Sequence, residues 1–146
     1  MTRLTLRQAE TIADAALAEG VRKNFAPLCV VVLDQGAHPL VLKRMDNAAI
    51  FRPQIATAKA AGCLGFGFGG REVSRRAATS PAFIAALSTI FPGGILPVPG
   101  GVLIRDGAGE LIGAIGISGD TSDNDELCAV VGIRAAGLAA DTGAKE

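Results

Sequence analysis

Residues 98–126 read VPGGVLIRDGAGELIGAIGISGDTSDNDE, and the fold turns on this stretch. A glycine pair opens it, two apolar runs flank Asp106-Gly107, and an acidic helix start closes it. Asp-Gly between apolar runs is a strong hairpin signal and predicts strands over 101–105 and 110–118. Within the second run, Gly113, Ala114, Gly116, Ser118 and Gly119 give up side-chain packing that a core strand ordinarily keeps. The expectation is that another backbone or a ligand comes close to this strand.

Working outward, the segments on either side supply the partners of that hairpin. Thr5 and Gln8 have the spacing of a capping box, and Leu6, Ala9, Ile12, Ala13, Ala16, Leu17 and Val21 recur on one face, predicting a helix over 5–23. Residues 28–33 are a continuous apolar run, ended by Asp34-Gln35-Gly36, and 40–45 resume an extended pattern, which reads as a second hairpin; the apolar run implies burial on both faces. Pro53 suits the first turn of a helix that ends at the glycine-rich 62–70. Residues 71–76 and 81–90 read as one or two short helices with Ser80 as a cap, and 95–98 as a short extended piece. Asp123 or Asn124 is placed to cap a last helix over 125–140 that is apolar on nearly every side.

The order is therefore α-β-β-α-α-β-β-β-α, an α+β domain with a five-stranded antiparallel sheet and flanking helices, occupying residues 1–146 as one unit. Apolar residues make up 49% of the chain, and the central strands and last helix expose more apolar surface than 146 residues readily cover. A homo-oligomer, dimer or higher, is expected.

Charge excludes several partners. The 14 basic and 14 acidic residues cancel, and with neither Trp nor Tyr the chain lacks both the basic footprint and the stacking platforms of a nucleic-acid binder. No apolar run is long enough to span a bilayer, and MTRLTLRQAE reads as an amphipathic helix start rather than an export signal, so a soluble cytoplasmic protein is expected. Cys29, Cys63 and Cys128 have no CxxC spacing and read as buried reduced thiols. Gly65, Gly67 and Gly70 match GxGxxG, but they follow a helix, whereas the dinucleotide motif follows a strand and opens a helix.

The candidate functional residues are few. Arg44 and Asp46 close the second strand of the first hairpin on one face, either as a solvated ion pair or as ligand contacts. Lys59, ringed by alanines, either crosses a crowded face or snorkels to solvent. Asp120, Asp123, Asp125 and Glu126 form an acidic cluster explained by capping and the helix dipole, with spacing unlike a calcium loop. His38, in the turn DQGAHP, is the sole imidazole available to a metal or haem.

Asp34 and Gly36 after an apolar strand, Arg44-Met45-Asp46, Ala58-Lys59-Ala60, Pro99-Gly100-Gly101, the strand 113–119 and Asp125-Glu126 before an alanine-rich helix together resemble the GlcG/HbpS/PduO C-terminal family of haem-degrading domains. The resemblance covers nearly the whole chain. It implies a profilin-like or PAS-like sheet domain that assembles into homo-oligomers and binds a small molecule, with haem or a related tetrapyrrole the candidate and a redox or accessory metabolic role. By position it marks Arg44, Asp46, Lys59, Ser118 and Asp125, with the turn Pro99, Gly100 and Gly101 and neighbouring Gly119, as ligand-binding residues. On this reading the glycine-rich strand floors a pocket, Arg44 and Lys59 meet ligand carboxylates, Phe66 and Phe68 supply apolar contact, and His38 is the axial ligand. Two other readings stand beside it: an enzyme acting on a small carboxylated metabolite with Lys59 or Asp125 as acid or base, and a non-catalytic assembly protein.

Overall fold

A computed structural model describes residues 2–145. Helix α1 (Leu6–Arg22) starts where Thr5 and Gln8 exchange the two bonds of the capping box, Gln8 N to Thr5 Oγ1 at 3.1 Å and Thr5 N to Gln8 Oε1 at 3.0 Å. The chain continues through β1 (Cys29–Asp34), β2 (Pro39–Arg44), α2 (Arg52–Phe66), α3 (Gly70–Thr79), α4 (Pro81–Leu87), β3 (Gly101–Arg105), β4 (Leu111–Ser118), α5 (Ser122–Ala135) and β5 (Ala139–Asp141). The five strands form one antiparallel sheet in the order β2-β1-β4-β3-β5. Both expected hairpins are present, and the α+β class holds.

The fifth strand is not where the sequence pattern puts it. Residues 95–98 are irregular: Pro97 and Pro99 lack the donors a ladder needs, and Ile95 is instead tied to Ser88, whose Oγ accepts from Ile95 N at 3.1 Å. The sheet gains its edge from β5, in residues 139–141, assigned by sequence to the end of the last helix. That helix stops at Ala135, because Gly137 takes φ +75° and turns the chain back along β3. Arg105 Nε then donates to Asp141 Oδ2 at 3.0 Å across the new pair. The start of α5 also differs: the cap is Thr121, whose Oγ1 accepts from Asn124 N, rather than Asp123 or Asn124.

Three layers result. Val30, Val32, Ile115 and Ile117 face α1 and α5, while Val31, Leu33 and Ala114 face Ala56 and Ala60 of α2. The close approach expected at the glycine-rich strand is α2 itself, since a methyl group on Gly116 would overlap the carbonyl oxygen of Ala56. On the other side, a methyl group on Gly132 would overlap Ile12 O, so α5 and α1 pack backbone against backbone. The central strands β1, β4 and β3 are thus covered on both faces by the chain's own helices. The argument that a second subunit is needed to cover them falls, although Leu42 on the edge strand β2 remains exposed, as do Ile50, Phe51, Phe83 and Ile90.

Candidate functional site

Helix α2 presents Arg52, Ala56 and Lys59 at intervals of four and three residues, which places them on one face, and that face lies against β4. The small side chain at Ala56 lets the helix sit close, and the two long cations on either side of it reach the end of the strand. Lys59 Nζ donates to Ile117 O at 2.9 Å and to Asp125 Oδ2 at 3.1 Å. Asp125 Oδ1 accepts from Asp120 N at 3.0 Å. The pair is sealed, with side-chain exposures of 4% for Lys59 and 1% for Asp125. Burial pushes the Asp125 carboxyl above its usual range, and the Lys59 ammonium opposes that shift. Of the two readings left open for Lys59, the structure shows it crossing the interior.

The turn 99–101 closes over this pair. A Cβ on Gly100, at φ +115°, would come within 2.8 Å of Lys59 Nζ, and one on Gly101 would overlap Lys59 O. Gly119 sits as tightly against Pro27. Next to it, Asp120 accepts from Ala26 N at 2.8 Å, Thr121 N at 2.8 Å and Asn124 Nδ2 at 2.7 Å. The Ala26 N–H foremost, with the other two donors, holds this carboxyl below the ordinary range.

Register brings a second group of residues to the same end of the sheet. Cys29 is opposite Arg44 on one side and Ser118 on the other, so the three side chains share the α2 face. Arg52 Nη1 donates to Ser118 Oγ at 3.0 Å, and Arg44 Nη1 donates to Ala48 O at 3.0 Å. Burial raises the Cys29 thiol while the charge of Arg44 pulls it down. Sequence reading overlooked Arg52. Its signal was its spacing from Lys59 along α2.

Arg44, Lys59, Ser118, Gly119, Asp125 and the Pro99–Gly101 turn therefore gather at one end of the sheet. The other candidates do not. Strand β2 ends at Arg44, so Asp46 lies in the following turn, exposed, rather than on the same strand face. Phe66 and Phe68 are at the far end of α2, a helix of 15 residues and therefore about 20 Å long. There they pack with Val73, Ile84 and Ile95. The Phe66 ring centroid is 5.0 Å from that of Phe91, and the Arg76 guanidinium is 4.3 Å from that of Phe68. The proposed pocket combining Arg44 and Lys59 with this phenylalanine pair is therefore two separate places.

His38 is in the β1–β2 turn, with its side chain 80% exposed and Nδ1 3.4 Å from Asp34 Oδ1. The same oxygen accepts from Gly36 N and His38 N, and although burial works against ionisation, these donors and the imidazole keep the Asp34 carboxyl below its usual range. Beside this turn runs a groove of about 520 Å³, walled by Ala61, Leu64 and Gly65 of α2 and by Ile90, Phe91 and Pro92, with Gly36 and Ala37 at its rim. His38 itself borders a smaller cavity of about 290 Å³ together with Arg3 and Leu4. The acidic cluster is spent on partners: Arg71 binds Asp123 at 2.7 Å and Glu126 at 2.9 Å. No group of three metal-binding side chains occurs among the described residues, nor does any helix among them have the length and apolarity to cross a membrane.

The chain is similar to known proteins in sequence and in fold. The family model described as haem degrading protein HbpS-like matches residues 4–134. The 15.0 kDa protein of the dhaT-dhaS intergenic region of Citrobacter freundii is 31% identical over 132 residues, covering 86% of this chain and 87% of that protein. The crystal structure of HbpS superposes with a TM-score of 0.79 at 27% identity over 92% of this chain and 90% of that one. That of a PduOC–haem complex gives 0.84 at 23% identity over 94% and 98%.

Proposed function

The chain belongs to the HbpS-like family of haem-degrading proteins, and on that premise we propose that it binds haem or a related tetrapyrrole in the groove between α2 and residues 90–92. The groove carries the proposal: at about 520 Å³ it falls in the range of small-molecule sites, and its walls are mainly apolar, with Gln35 and Thr57 as polar members. The donor chemistry fits. The Asp34 carboxylate lies 3.4 Å from His38 Nδ1 on a ring that is 80% exposed, which leaves Nε2 as the nitrogen to ligate and gives the imidazole a carboxylate partner of the kind that orients ligating histidines. His38, which follows Ala37 of the rim and lines the adjoining smaller cavity, is the axial candidate; Ala61, Leu64 and Phe91 would hold the macrocycle and exclude water. Haem bound there would supply a redox-active iron, which supports the redox or accessory metabolic role expected of the chain. PduOC, the relative solved with haem, shares the fold.

Arg44, at the end of β2 away from the β1–β2 turn, and Lys59, buried on the face of α2 that packs against β4, do not serve the same ligand's carboxylates. The burial of Lys59 and Asp125 supports a structural clamp joining α2, β4 and α5 in place of an acid–base pair. Titration with haemin tests the proposal. Wild type is expected to develop a Soret band shifted from that of free haemin, Ala61→Phe to lose binding by filling the groove, and His38→Ala to bind with an altered band. Absence of a shift in wild type would sink the haem reading, and an unchanged band in His38→Ala would remove the axial role.

A further inference from the structure

We propose a second binding site, for the zwitterion of a small apolar amino acid, in the cavity of about 290 Å³ bordered by Arg3, Asp34 and His38. Its opposite charges are the first support. Arg3 and Asp34 line this one cavity, yet no ion pair joins them, and among the described residues Arg3 pairs with no carboxylate at all. Arg3 is exposed and so within a ligand's reach, while its neighbours anchor the chain: Thr2 is bonded through its side chain to Asp106, and Leu4 is buried. With one cation and one carboxylate the cavity is balanced overall. It therefore favours neither a simple anion nor a simple cation but a molecule that carries both charges and bridges the gap between them.

The second support is the way the β1–β2 turn holds Asp34. Its Oδ1 accepts from Gly36 N at 2.9 Å and from His38 N at 3.0 Å and lies 3.4 Å from His38 Nδ1, which fixes the carboxylate, whereas Oδ2 takes no hydrogen bond from any described residue. The side chain is 35% exposed, so an ammonium entering the cavity reaches Oδ2 with the turn intact. Beneath the charges the cavity is apolar. Leu4, Leu40 and Ile112 come from three separate segments and belong to the cluster between the sheet and helices α1 and α5, so the floor continues the core. A cavity of about 290 Å³ stands at the lower end of small-molecule sites, which suits a molecule of amino-acid size. The carboxylate of such a ligand meets the Arg3 fork, its ammonium meets Asp34, and a branched aliphatic side chain covers the floor. The haem groove shares only Gln35 and Gly36 with this cavity, and neither Arg3 nor the floor belongs to it.

Isothermal titration of the full chain with L-leucine, isocaproate and isoamylamine tests this, because the second compound lacks the ammonium of leucine and the third lacks its carboxylate. L-Leucine is expected to bind wild type and the exposed-surface control Arg7→Gln alike, and both analogues to bind wild type at least about tenfold more weakly. Arg3→Gln and Asp34→Asn are each expected to weaken L-leucine at least about tenfold. Should Asp34→Asn not fold, Arg3→Gln, at an exposed position, and the two analogues carry the test. No response to L-leucine up to about 10 mM, an analogue bound as tightly as L-leucine, or retention of full affinity in Arg3→Gln would each overturn the site. Haemin titration of Arg3→Gln is expected to match wild type, so failure here leaves the groove reading untouched and the reverse also holds.

Discussion

Lys59 shows how one side chain is committed by its surroundings. Its ammonium is inside the protein, satisfied by a carbonyl and by Asp125, and both members of the pair depend on each other because a lone buried charge is far more costly than a paired one. Lys59→Met is therefore expected to destabilise the fold by about 3–5 kcal/mol in urea unfolding, and the double change with Asp125→Leu to recover part of that loss. A double variant no more stable than Lys59→Met would show that the charges themselves are needed. Gly116 is committed in a different way. Adding one methyl group there drives it into Ala56 O, and Gly116→Ala should lower stability by at least about 2 kcal/mol, although alanine suits a strand no worse than glycine does. That Gly116 faces a close neighbour was legible in the sequence; that the neighbour is α2 was not, because nothing local in GAIGIS specifies which element packs on it.

At the scale of elements, caps and ladder donors decide the boundaries. Thr121→Ala is expected to remove about 1 kcal/mol through loss of the bond to Asn124 N, whereas Asp123→Ala, at a position 76% exposed, should change stability by roughly 0.5 kcal/mol or less. The opposite ranking in thermal unfolding would restore Asp123 as the cap. Thr5 and Gln8 could be read in advance because both halves of the capping box lie within four residues. Strand β5 could not. Ala139–Asp141 has the composition of a helix end and becomes a strand because Gly137 redirects it onto the free edge of β3, an edge that exists only after the hairpin has joined the sheet.

Over the whole molecule, carboxylates set the response to acid. Asp120 and Asp34 have folded values lowered by backbone donors, so their contribution to stability is present above the ordinary carboxylate range and is lost as pH falls through the lowered values. Asp125 has the opposite sign: raised by burial, its contribution is full at low pH and declines as pH rises through the raised value. The urea midpoint should fall between about pH 5 and pH 3, and fall less in Asp120→Asn, which no longer gains from ionising. Burial also silences the thiols: it pushes Cys63 up to about 12 and Cys128 to about 11, and raises Cys29. A thiol reagent near pH 8 is expected to leave the native chain unlabelled and to label all three cysteines once it is unfolded. With Leu42, Ile50 and Phe51 exposed around β2 and the start of α2, light scattering at micromolar concentration is expected to give a dimer or larger species; a monomer would overturn the homo-oligomer expected from the sequence.

The amino-acid sequence by itself determined the capping box that starts α1, the presence of the flanking helices, the two hairpins and the antiparallel α+β class, because capping boxes, Asp-Gly turns and apolar periodicity act between near neighbours. It also marked Lys59, Ser118 and Asp125, whose chemistry is unusual among small residues. Tertiary structure alone decided that Lys59 and Asp125 neutralise each other out of water, that Arg52 joins Ser118 from 66 residues away, and that Phe66 and Phe68 belong to a separate cluster. The groove beside His38 likewise draws its walls from three distant segments. Cavities and charge balance depend on where elements meet, and that is set by packing across the sheet rather than by any local pattern.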